Sequence, residues 1–156
     1  MYLLANALFL LILPLASVLI ELEAWHSPWG GGALVAKWFV FWAVGGRVFT
    51  AGLRQAIQPR FTARDIFAIQ DPKALILVQE LGFANLATGT LGIAALFKPS
   101  WVGPAALVGG LFYGLAGMRH LGKSGKNRLE TTATVTDLYA FVVLAWAFLS
   151  RIMTTR

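Results

Sequence analysis

The chain contains no cysteine. A disulfide, a thiolate metal site and thiol catalysis are therefore excluded within it. Charge is also scarce. Asp, Glu, Lys and Arg make up 13% of the 156 residues, against about a quarter in an ordinary soluble domain. Histidine is limited to His26 and His120. The two fall on opposite predicted membrane faces, so a haem held by two histidines from one face is unavailable. No nucleophile elbow, P-loop, Rossmann glycine fingerprint or HExxH is present, and no catalytic residue can be named. No soluble domain, long-period repeat or low-complexity tract interrupts the chain.

What remains is apolar. Hydrophobic residues make up 58% of the sequence, and the mean hydropathy is +0.69. These values predict an all-α fold: an integral membrane helical bundle of five transmembrane helices, forming one domain over 1–156. Spans are expected at about 2–20, 33–57, 73–97, 102–119 and 131–152. The first has no positively charged start at Met1-Tyr2-Leu3 and is expected to be retained, with Pro14 as a kink point. Six Trp and eleven Phe suit interface belts and helix packing in lipid. Trp25 and Trp29 lie in the loop after the first span as expected anchors. The connection around Thr62-Ala63-Arg64-Asp65 is expected to form a short amphipathic helix using Phe61, Ile66, Phe67 and Ile69.

The net charge of +6 would suggest nucleic acid in a soluble protein. Here the basic residues sit between apolar spans, so no nucleic-acid partner is expected and the bilayer is the first partner. Arg54, Arg60, Arg64, Lys73, Arg119, Lys123, Lys126 and Arg128 flank the second and fourth connections. Lys37, Lys98, Arg151 and Arg156 lie on the other side. The positive-inside rule then places the N-terminus in the cytoplasm.

The third span, Lys73–Phe97, carries Glu80 and Asn85 inside an apolar run, beside a stripe of Gly82, Asn85, Gly89 and Gly92. A carboxylate inside a span normally faces a bundle interior, so this segment is expected to be the central helix. Arg47 lies seven residues inside Arg54, Glu80 seven inside Lys73, and Asp137 seven inside Glu130. Seven helical residues are about 10 Å, which predicts Arg47, Glu80 and Asp137 at one level, bracketed by His120 and Tyr113. Asn85, rotated by about 140° from Glu80, is expected to serve another contact. Three readings of this polar layer stay open: a purely structural latch, a pocket for the polar end of a lipid-like or quinone-like molecule, or a proton-transfer or catalytic site. No metal is expected, because the spacing forms no recognised ligand motif and Arg47 would oppose a cation.

The stretches GRVFTAGLRQ, QELGFANLATG and YGLAGMRH, with Arg47…Gly52 in one span, Glu80…Gly89 in the next and a small-residue span ending at His120, resemble the DoxX-like family of small bacterial membrane proteins, and within it an uncharacterised domain-of-unknown-function branch. The similarity covers about 37–146. It implies a four-helix membrane core with an added N-terminal helix, in the bacterial inner membrane. It also implies an accessory or binding subunit tied to a quinone-linked or other membrane redox complex. A membrane-protein partner and a link to quinone follow from the same resemblance; the Gly-rich faces of the third and fourth spans leave a second copy of the chain open as a partner, and the pocket reading a lipid as ligand, with no dedicated cofactor expected. Cysteine-dependent sulfur chemistry is excluded for this chain alone.

Overall fold

The structure, a computed structural model, describes residues 2–24 and 29–154. Trp25 and His26 lie outside the described residues. The described chain is helical, with no strand, and five of its helices are long and apolar enough to cross a membrane. We number them α1 (Leu3–Ala24), α2 (Gly31–Ile57), α3 (Ala74–Phe97), α4 (Pro99–Leu121) and α5 (Arg128–Met153). This is the architecture of a multi-pass membrane protein, with large apolar side chains such as Leu4, Leu77 and Val142 pointing outward.

Each helix boundary has a local cause. The tight turn into α4 uses Pro99, whose missing N–H costs nothing at a helix start. Helix α5 begins three residues earlier than expected, because Asn127 and Glu130 form a capping box. The Glu130 N–H donates to Asn127 Oδ1 at 2.8 Å, and the Asn127 N–H donates to Glu130 Oε2 at 3.1 Å. Pro14 does not break α1. The turn before it, Leu8–Ile12, widens so that the Leu13 N–H reaches the Leu8 carbonyl, which absorbs the donor that proline lacks. A second wide segment, Phe41–Val48, interrupts α2. The two wide segments touch each other, with Phe9 against Trp42 at 6.1 Å between ring centroids.

Helix α2, not α3, is the centre of the bundle. It contacts α1, α3, α4 and α5, while α3 buries 22% of its most apolar stretch, against 44% for α2 and 50% for α4. The core is built from small and branched side chains: Val40, Val44 and Val48 of α2, Val102 and Ala106 of α4, Ala140 and Leu144 of α5. Helices α2 and α3 form the most extensive antiparallel pair, and α4 and α5 the next.

Helix α3 lies on α2 through backbone. A Cβ at Gly52 would stand 2.7 Å from the Leu86 nitrogen and 2.8 Å from the Gly82 carbonyl oxygen. One at Gly82 would stand 2.7 Å from the Ala56 nitrogen. Only glycine permits that approach. The stripe of Gly82, Asn85, Gly89 and Gly92 is thus the face that meets α2. The expected amphipathic helix in the connection is a single wide turn, Phe61–Ile66, that tucks Thr62, Ala63 and Ile66 inward and leaves Ile69 exposed.

Candidate functional site

Arg47 sits in the wide segment of α2 and points into the bundle, its side chain 14% exposed. A guanidinium at that position has five N–H donors to satisfy. Nη2 meets Asp137 Oδ1 of α5 at 2.9 Å, with Thr136 Oγ1 at 3.4 Å. Nε donates to Asn6 Oδ1 of α1. The face of the group lies over the Tyr113 ring of α4, 4.9 Å from its centroid. Tyr113 is fully buried, and its hydroxyl donates to the Ala43 carbonyl at 2.7 Å. That carbonyl belongs to the widened ladder of α2, where the hydroxyl adds a donor. One arginine therefore joins four of the five spans. Among the described residues no buried side-chain nitrogen or oxygen lacks a hydrogen-bond partner.

Glu80 is not part of this layer. It is exposed, and among the described residues it makes no hydrogen bond or ion pair. The register explains why. Gly82 faces Ala56, and Gln79 Nε2 donates to the Ala56 carbonyl at 3.0 Å. Glu80 is therefore level with the end of α2, about 15 Å along the axis from Arg47. Lys73 and Arg54 do not mark the same depth, because α3 starts several residues beyond the end of α2. Facing is the second cause: Glu80 lies about 120–180° around the helix from the glycine stripe. With Glu80 outside, Arg47 and Asp137 balance one for one.

Asn85 is the polar residue that α3 does bury. Its Nδ2 donates to Gln55 Oε1 at 2.7 Å inside the α2–α3 contact. His120 is half-buried at the end of α4, within electrostatic range of Asp137 and Glu130. Tyr113 and Asp137 join Arg47 directly; His120 stands beside the layer, and Asn85 belongs to a separate pair.

Two further polar contacts carried weaker sequence signals. Asn6 is a lone amide in an apolar span, and that isolation is the signal that it meets a partner. Glu21 accepts from Lys37 Nζ at 2.6 Å and Trp38 Nε1 at 2.8 Å, tying α1 to α2 far from Arg47. Among the described residues no group of three or more His, Asp or Glu side chains is gathered that could hold a metal ion. Two cavities lie elsewhere: one between the end of α2 and the α2–α3 connection, one between α4 and α5. No family model, no curated protein and no solved structure matches the chain.

Proposed function

We propose that this chain is a non-catalytic integral membrane subunit, an accessory or binding component in which the Arg47 layer is a latch that fixes helix arrangement. The carrying observation is the closure of that layer: Asn6, Thr136, Asp137 and Tyr113, from within the chain, occupy the surroundings of the guanidinium. A buried ion pair of this kind specifies arrangement more than it adds stability. The DoxX-like stretches support association with a quinone-linked or other membrane redox complex of the bacterial inner membrane, through a membrane-protein partner or a second copy. The distribution of Lys and Arg supports a cytoplasmic N-terminus.

A second reading has one observation in its favour. Arg47 lies on a wide helical segment, a distortion that recurs at functional sites. In that reading Arg47, Asp137 and His120 meet the polar end of a lipid-like or quinone-like molecule that enters between helices. Purification of wild type, Arg47→Gln and Asp137→Asn from native membranes, with mass spectrometry of co-purifying proteins and lipids, separates the two. The latch predicts lower yield and lost partners in both variants. Normal yield, stability and partners with loss of a quinone- or lipid-dependent activity would overturn it.

A further inference from the structure

The larger cavity, about 530 Å³, opens where α2 ends and the α2–α3 connection begins. Its volume falls in the range of ligand sites. Ile57, Phe61 and Leu75 supply apolar lining, while Arg60 and Arg64 stand at it exposed and, among the described residues, without an ion pair. A third guanidinium, Arg54, lies over the Phe61 ring, 3.6 Å from its centroid. One carboxylate, Asp65, also lines the cleft, leaving the basic side chains in excess.

The surroundings of the cleft are those of a membrane boundary. Leu53 and Ile57, one turn apart on α2, are 44% and 68% exposed and continue the apolar lining down the helix toward the bilayer. The turn that carries the arginines is held in place. Thr62, Ala63 and Ile66 are buried, and Asn127 Nδ2 reaches the Asp65 carbonyl at 3.3 Å from the α4–α5 connection. Two guanidiniums carried on a held turn above an apolar track match a phosphate above an acyl chain.

We propose that this cleft binds an anionic phospholipid, with Arg60 and Arg64 on the headgroup phosphate and one acyl chain along Ile57 and Leu53. A soluble phosphate compound would share the headgroup chemistry but leave the apolar track empty. The site is separate from the Arg47 layer, and its failure would leave the latch untouched.

The test uses the full chain reconstituted in nanodiscs of mixed phosphatidylcholine and phosphatidylglycerol, with retained lipid counted by native mass spectrometry after detergent extraction. Wild type should retain phosphatidylglycerol selectively. The double variant R60Q/R64Q should lose that selectivity by roughly five-fold per arginine, on the order of 25-fold together. R60K/R64K should keep part of it, and the control R119Q/R128Q, also exposed and basic, should keep nearly all. Thermal unfolding of every variant should match wild type, since all four positions are exposed. Absence of selectivity in wild type overturns the proposal. So does equal loss in the control, which would mean diffuse surface charge, and so does displacement of the lipid by glycerol 3-phosphate, which would mean a soluble ligand.

Discussion

Arg47 shows how a charged side chain is tolerated at depth. Its ion pair with Asp137 is surrounded by Asn6, Thr136 and the Tyr113 ring, so neither charge is left facing hydrocarbon. Removing one partner strands the other. Asp137→Ala should cost about 3–5 kcal/mol of stability, whereas Glu80→Gln, at an exposed position, should stay within about 0.5 kcal/mol. Thermal unfolding of both variants in one detergent checks this; similar losses would contradict the placement of Glu80 outside the layer. The partnership of Arg47 with Asp137 is legible in sequence from seven-residue offsets, because Arg54 lies close to the end of α2 at Ile57 and Glu130 close to the start of α5 at Arg128. Glu80 misleads because Lys73 looks like the same kind of marker. The angular relation of Glu80 to Gly82, Gly89 and Gly92 was the better guide, since small residues mark the packed face and Glu80 is opposite them.

Helices α2 and α3 meet at a contact that glycine alone allows. Gly52→Ala should therefore destabilise by about 1–3 kcal/mol, because its Cβ would strike α3 backbone. Gly110→Ala is the contrast. Its Cβ would meet Leu144 at an ordinary 3.5 Å, and alanine is the better helix former by about 1 kcal/mol, so the substitution should be neutral or stabilising. The pair is compared by thermal unfolding; the opposite order would refute the close α2–α3 approach. Element positions were largely legible, because twenty-odd apolar residues between turn signals specify a span whatever it packs against. Boundaries were less so. The Asn127–Glu130 capping box extends α5, and of the widened turns at Leu8–Ile12 and Phe41–Val48 only the first has a sequence mark. A proline explains the first; packing against the first and the Tyr113–Ala43 bond accompany the second.

At the scale of the whole molecule, the α2–α3 and α4–α5 connections lie together, joined by Asn127 and Asp65, and most of the exposed basic residues flank them. The orientation proposed above from the positive-inside rule would put that side in the cytoplasm. Because the chain has no cysteine, single cysteines at Ser124 and Ser100, both exposed, can be labelled cleanly with a membrane-impermeant thiol reagent. Ser100→Cys should react in intact spheroplasts and Ser124→Cys only after lysis; the reverse pattern would invert the orientation. The sequence by itself determined the solvent this protein is built for, the number of its spans and the scarcity of reactive groups, because composition and run length act residue by residue. Only the tertiary structure decided that α2 is central, that Asp137 and not Glu80 holds Arg47, and that Arg60 and Arg64 share a cleft. Those facts depend on how far each helix slides and rotates against its neighbour, and that is set by backbone contacts between segments distant in the chain.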